Sequence, residues 1–410
     1  MQQTIIYIGL DVDDTRYHGS ALNKDTGEVI DFSCRPTLKG LLVQLNKIAR
    51  HFPECSLRLC YEASYEASYI GYCLQRDLVD NGFQCDVVAP TSTPRPRGRA
   101  IKTDRIDAAQ LAQYYANDLL TIVRPPDAKQ EQDRDLLRTR QNLLKQRTDL
   151  RKHMQSLLRR SGLHYKAETG NKTHWTQHHY GWLDRTIDGL SDSVKVNLEL
   201  LLRQLKGMND ILTEYDQQIE VLAKTPCYEK PVQALTCYKG IKHIFALTMI
   251  TEIGDIKRFA HPRKLMSWVG MDIREYSSGG KHNRFGITKQ GNRYLRTAFV
   301  EANQRGYRTA RISKDLKARR SDTAPAFIAI ADRRLRRLNN KGNRLLLAGK
   351  HPNVVDGARF QGRPGQGLAK RQHVAFLGPP DLLDPLPTLT SVKKPRWRAC
   401  RSAGCYWGRG

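Results

Sequence analysis

The stretch Ile5-Ile6-Tyr7-Ile8-Gly9-Leu10 runs directly into Asp11, with Asp13 and Asp14 just beyond. An apolar run of that length, bounded by acids, reads as a short buried strand ending on a carboxylate. Further short apolar runs follow near Val29 to Phe32, at Leu57 to Tyr61 and at Cys85 to Val88. Between them, Leu38 to Phe52 and Ile70 to Val79 carry apolar residues at the 3.6-residue spacing of helices that cover a sheet. Residues 1–125 therefore read as an α/β domain, closed by the Pro125-Pro126 pair.

A chain of 410 residues is too long for one ordinary core and calls for two or three domains. It carries 68 Lys and Arg against 41 Asp and Glu, a formal net charge of +27. A positive field of that size concentrates polyanions and weakens with salt, so nucleic acid is the leading partner. No apolar run approaches the ~20 residues that span a bilayer. The run at Ile5 also lacks the basic flank of an export signal, so the expectation is a cytoplasmic protein with no membrane segment. Nine cysteines, an odd number with no CxxC pair, fit reduced thiols rather than a disulfide framework. His174, His178 and His179 lack the Cys or carboxylate partners that would complete a zinc site.

Over residues 128–225 the period changes. Val194, Leu198, Leu201, Leu205, Met208, Leu212, Tyr215, Ile219 and Leu222 alternate gaps of four and three, the seam of a coiled coil. Leu136, Leu143, Leu150, Met154 and Leu157 repeat the pattern more loosely. The two stretches pair either as a hairpin within one chain or across a dimer. Residues 226–350 read as mostly helical and basic, punctuated by Gly240, Gly254, Gly270 and Gly279-Gly280. The positive charge is densest late, from Arg305, Arg308 and Arg311 to Arg333, Arg334, Arg336 and Arg337, and suits phosphate contact. Residues 356–410 are rich in Gly and Pro, contain no Glu and lose all apolar periodicity, which reads as a disordered tail.

Four acids stand at informative places. Asp11 ends the first strand, Glu62 follows the run Leu57 to Tyr61, and Asp104 and Asp107 share one helix face in KTDRIDAAQLA at 102–112. Carboxylates gathered together raise one another's pKa unless a cation sits among them. Mg²⁺ is the natural cation, and a pair of such ions would activate a nucleophile and steady a leaving oxygen in phosphoryl transfer. Arg95, Arg97, Arg99 and Lys102 form a basic loop just before Asp104, placed to hold a backbone phosphate. Farther on, Ser277 and Ser278 precede two glycines that would let the backbone approach a phosphate closely. On the residues alone that segment is either a nucleophile or an ordinary loop.

Taken in order, IGLDVDDT at 8–15, CYEAS at 60–64, VVAPTSTPRPRG at 87–98, KTDRIDAAQLA and REYSSGGKHNRFGITKQGNRYLRTAFVEAN at 274–303 resemble the DEDD insertion-sequence transposases. That family includes Piv-type invertases and bridge-RNA-guided recombinases, and the similarity runs over about residues 4–350. The resemblance implies an RNase H/RuvC-like catalytic domain, a coiled-coil insertion and a C-terminal transposase domain. It also implies that Asp11, Glu62, Asp104 and Asp107 are the Mg²⁺-binding set. The tandem YEASYEAS at 61–68 makes Glu66 a competitor of Glu62, which is preferred because the strand before it fixes its place. In the family a serine attacks DNA and forms a covalent phosphoserine, which here implies Ser278, abutting the glycines, ahead of Ser277. Lys281, Arg284, Lys289 and Arg293 would then flank the scissile phosphate. The stretch from Lys239-Gly240-Ile241 to Gly254 resembles the helix-hairpin-helix-like start of the transposase domain.

The sequence is thus expected to encode a mobile-element recombinase acting on DNA as a dimer or tetramer. A structured non-coding guide RNA is implied by the resemblance alone. After GKHPNVV the family's basic, apolar helix is expected, but DGARFQGRPGQG follows, as if the tail were frameshifted or replaced. Two other readings compete: a RuvC-like junction nuclease in which SSGG is only a loop, and a non-enzymatic basic coiled-coil protein that binds nucleic acid.

Overall fold

The structure, a computed structural model, describes residues 4–62, 71–90, 93–94, 103–278, 281–304, 309–351 and 354–355. The 356–410 tail and the basic loop at 95–102 therefore lie outside the described residues. The chain divides into two compact units, residues 1–133 and 134–410.

The first unit is built on β1 (Ile5–Val12), β2 (Tyr17–Asn23), β3 (Val29–Cys34), α1 (Leu38–His51), β4 (Ser56–Glu62), α2 (Cys73–Asp80), β5 (Gln84–Val88), α3 (Asp104–Ala116) and β6 (Ile122–Val123). The strands form one mixed sheet in the order β3-β2-β1-β4-β5-β6. β1 pairs parallel with β4, and β4 with β5, while β2, β3 and β6 run antiparallel to their neighbours. Alternation along β1 divides the two faces. Ile6, Ile8 and Leu10 are fully buried and pack with Leu41, Leu45 and Ile48 of α1 and Leu74 and Leu78 of α2. Each such side chain contributes roughly 1.5–3 kcal/mol of apolar burial. Tyr7, Gly9 and Asp11 point to the other face, which α3 covers.

The second unit begins within α4 (Ala128–Arg160) and continues with α5 (Tyr165–Thr169), α6 (Gln177–Asp188) and α7 (Asp192–Ala223). Every position of the seam from Val194 to Leu222 is buried or half-buried. The two long helices run antiparallel within the one chain. Arg140 pairs with Asp216, Arg147 Nη1 donates to Asn209 Oδ1 at 3.1 Å, and Met154 and Leu158 share a cluster with Leu198, Leu202 and Leu205. At that end His179 is fully buried, stacked on Trp182 at 5.6 Å between ring centroids and edge-on to Tyr165 at 4.5 Å. Burial pushes the His179 imidazole down to about 4, so it is neutral.

The remainder consists of α8 (Glu229–Thr236), α9 (His243–Ile253), a 3₁₀ turn at Ile256–Arg258, α10 (Pro262–Val269), β7 (Ile273–Ser278), β8 (Lys281–Ile287), α11 (Arg293–Gln304), α12 (Lys314–Ala318) and α13 (Pro325–Leu347). Its core joins Tyr238, Ile241, Leu247, Met249, Val269, Leu295 and Phe299. The turn between α8 and α9 holds Gly240 at φ 91°, and a Cβ there would lie 1.9 Å from the Ala302 carbonyl oxygen. Glycine at 240 is thus required both by its left-handed backbone and by the close approach of α11. The α8–α9 hairpin is packed onto α11, and Lys239 Nζ donates to the carbonyls of Thr309 at 2.6 Å and Arg311 at 3.0 Å. No helix among the described residues is long and apolar enough to cross a membrane.

Candidate active site

Strand register and packing place the four acids of the first unit. Gly9 lies beside Cys60 and Leu10 beside Tyr61 in the parallel β1–β4 pair, so Asp11 and Glu62 follow one another at the same end of adjacent strands. Both face α3: Asp11 has the parity of Gly9, and Glu62 has that of Cys60, whose side chain packs with Leu111 and Tyr115.

The helix crosses this face with its backbone almost on the strand. A Cβ at Gly9 would fall 2.3 Å from the Ala108 carbonyl oxygen and 2.4 Å from the Ala112 nitrogen. The helix runs antiparallel to β1: at its C-terminal end Tyr115 meets Tyr7 at 5.5 Å and Lys24 Nζ donates to the Ala116 carbonyl at 2.7 Å. Its first turn, carrying Asp104 and Asp107, therefore lies toward the strand end that carries Asp11 and Glu62. Thr103 caps that turn, its hydroxyl accepting from the Ile106 amide, and two acids at a helix N-terminus are favoured by the macrodipole. Arg105 Nε ties the turn to Asp31 of β3 at 2.7 Å.

Two residues outside the sequence-derived set belong to this end. His18 is the cross-strand partner of Asp11, and its Nε2 stands 3.8 Å from Asp104 Oδ2. Thr93 Oγ1 donates to Glu62 Oε1. Neither gives a sequence signal, since His18 sits in a strand with no apolar run and Thr93 in an irregular segment. Among the described residues, no three His, Cys, Asp or Glu side chains stand close enough together to hold one metal ion. The donor chemistry nevertheless suits a hard divalent cation, being all carboxylate. Glu66, Arg95, Arg97, Arg99 and Lys102 lie outside the described residues.

In the second unit Ser277 and Ser278 are the last two residues of β7, both exposed, paired across the ribbon with His282 and Lys281. Ser277 Oγ donates to Glu275 Oε1 at 2.8 Å. Lys289 and Arg293 are exposed after β8, and the side chains of Lys281 and Arg284 lie outside the described residues. The base of the ribbon is locked: Lys289 donates its amide to the Gly270 carbonyl at 2.9 Å, and a Cβ at Gly270 would fall 2.3 Å from the Gln290 carbonyl oxygen.

Behind that base lies a buried network the sequence did not disclose. The Glu252 carboxylate, 2 % exposed, receives both Nε and Nη2 of Arg138 at 2.6 and 2.7 Å and the Asn292 amide at 2.6 Å. Asn292 Oδ1 in turn accepts from the Leu295 amide at the start of α11. One carboxylate thus joins α4, α9 and the segment that carries Lys289 and Arg293. The pairing of Arg138 with Glu252 spans 114 positions, beyond the reach of any local pattern.

Comparison with known proteins follows the same division. A DEDD transposase family model of the IS110 type matches residues 8–162, and the model described as Transposase IS116/IS110/IS902 family matches residues 232–318. A putative transposase of Sinorhizobium fredii is 32% identical over 292 residues, covering 71% of this chain and 70% of that protein. The transposase for insertion sequence element IS1533 of Leptospira borgpetersenii is 26% identical over 348 residues, 82% of this chain and 95% of its own. With two segments matched to these family models and a relative 32% identical that is covered over 70% of its length, the chain belongs to the DEDD insertion-sequence transposases of the IS110/IS116 family, enzymes that cut and join DNA.

Proposed function

We propose that the chain cuts and rejoins DNA by serine attack, assisted by Mg²⁺ at Asp11, Glu62, Asp104 and Asp107. The observation that carries this reading is the shared face and shared end of the sheet for the two strand acids and the first turn of α3. The sheet order β3-β2-β1-β4-β5 supports an RNase H/RuvC-like domain, and the antiparallel α4–α7 pair supports a coiled-coil insertion. Divalent ions, when bound, would supply neutralisation of charge on a DNA phosphate held at these acids. Asp11, Glu62, Asp104 and Asp107 would hold such ions, for which Glu62 would have to give up its contact with Thr93 and Asp104 its contact with His18.

Ser278 Oγ loses its proton and forms a P–O bond as the P–O bond to one DNA strand breaks, and that strand takes up a proton and leaves as a free hydroxyl. A strand hydroxyl later loses its proton, attacks the phosphorus and displaces the serine, which is reprotonated, to rejoin DNA. Bond energy is conserved in the ester, so no nucleotide cofactor is needed. Lys289 and Arg293 offset phosphate charge. The family likeness supports a guide RNA, a dimer or tetramer, and a cytoplasmic enzyme.

The test is covalent trapping with labelled donor DNA. A denaturation-resistant adduct should form with the unaltered chain and with Ser277→Ala, and vanish with Ser278→Ala. Asp11→Ala and Asp104→Ala should abolish cleavage while leaving DNA binding in place. An adduct that survives loss of both serines, or cleavage without any adduct, overturns the serine mechanism. Sequencing RNA that copurifies with the chain tests the guide.

A further inference from the structure

The pairing of the ribbon decides which of its side chains share a face. Glu275 stands opposite Arg284, Tyr276 opposite Asn283, Ser277 opposite His282 and Ser278 opposite Lys281. Side chains alternate between faces, so Ser277 shares one face with Glu275, to which it is hydrogen-bonded. The other face carries Tyr276 and Ser278 on β7 and Asn283 on β8. Phe285 follows Asn283 by two residues, the spacing that returns a strand side chain to the same face, at the place where β8 carries one residue more than β7 between the Ile273–Ile287 and Glu275–Arg284 pairs. Tyr276 is 74 % exposed and Phe285 57 % exposed, and all of β7 is exposed. A two-stranded ribbon gains little stability from showing large aromatic rings to water. These rings also stand on a ribbon whose base is clamped at Gly270 and Gly291, where added Cβ atoms would meet backbone oxygens at 2.3 and 2.1 Å.

We infer that Tyr276 and Phe285 form a stacking platform for unpaired DNA bases, which sets the adjoining phosphate against Ser278. The inference rests on the reading of Ser278 as nucleophile and deepens it. Three features define the occupant. Flat, solvent-exposed rings suit the π-faces of bases, and stacking tolerates any sequence. The Asn283 amide, directly across the ribbon from Tyr276, can meet a base edge. The surroundings are cationic, with exposed Arg274, Lys289 and Arg293 and a chain charge of +27, so the ligand is a polyanion. Ser278 lies two residues from Tyr276, about 7 Å along the strand, within reach of the phosphate next to a base held on the ring. DNA is favoured over RNA because the platform shares its face with the serine assigned to DNA. Exchanging strands also requires bases at the cut to unpair.

The experiment uses the full chain and a short DNA carrying 2-aminopurine in an unpaired stretch, a fully paired duplex, and an RNA of the same sequence. Binding of the unpaired DNA should quench the fluorescence. Tyr276→Thr and Phe285→Thr, which keep strand propensity, should each weaken that binding about tenfold and relieve the quenching, with the paired duplex little affected. Tyr276→Phe keeps the ring and should restore both. Ser278→Ala should retain full quenching, so failure of the nucleophile reading is seen separately, in the loss or persistence of the adduct. Quenching unchanged in both Thr variants, equal weakening on paired duplex, or quenching by RNA alone overturns the platform.

Discussion

Glu252 shows what one buried side chain can decide. Its carboxylate is held by a two-pronged Arg138 and by Asn292, so every bond it makes is charge-assisted. Glu252→Ala leaves the Arg138 guanidinium buried without that partner, and a loss of about 3–5 kcal/mol is expected, readable in urea unfolding. A variant as stable as the parent would show that the network is dispensable. His179 makes a second case, of opposite chemistry. Its folded-state value is depressed to about 4 by burial, below the ordinary 6.5. Above 6.5 the ring is neutral both folded and unfolded, and it leaves stability unchanged with pH. As pH falls from 6.5 toward 4, the unfolded chain takes up the proton first, so stability drops. Melting followed from pH 7.5 to 4.5 should show this loss, and His179→Phe should flatten that part of the profile.

At the scale of elements, the decisive pair is α3 on β1. Helix and strand touch backbone to backbone at Gly9 because no Cβ stands between them. Gly9→Ala forces the helix outward, at a cost of about 1–3 kcal/mol, and carries Asp104 and Asp107 away from Asp11 and Glu62. The expected result is a lower urea midpoint and lost DNA cleavage with DNA binding retained. Unaltered cleavage would uncouple the helix position from the chemistry. The strand parity of Asp11 and Glu62 is unaffected by this change, which separates a misplaced helix from a missing acid. Elsewhere α4 and α7 pair within the one chain, where Arg140 meets Asp216.

For the whole molecule, a charge of +27 should make DNA binding strongly salt-dependent. With 6–10 phosphate contacts, affinity should fall by about 10³–10⁵ between 50 and 200 mM salt, measured by titration, and Asp11→Ala should leave that slope unchanged. A shallow slope would deny the basic surface its role. The strand Ile5 to Leu10, the seam of α7, the charge and the acids of KTDRIDAAQLA were legible in the amino-acid order, because apolar period and composition are local properties. β2 was not, because Gly19, Ser20 and Ala21 are buried by being small rather than apolar. β7 and β8 were not, because exposed strands carry no hydrophobic alternation. Which acids share a face, which serine turns toward Tyr276 and which arginine meets Glu252 were settled only by tertiary structure. Strand parity, the crossing of α3 and pairings over a hundred positions apart arise when distant segments pack, and no local period records them.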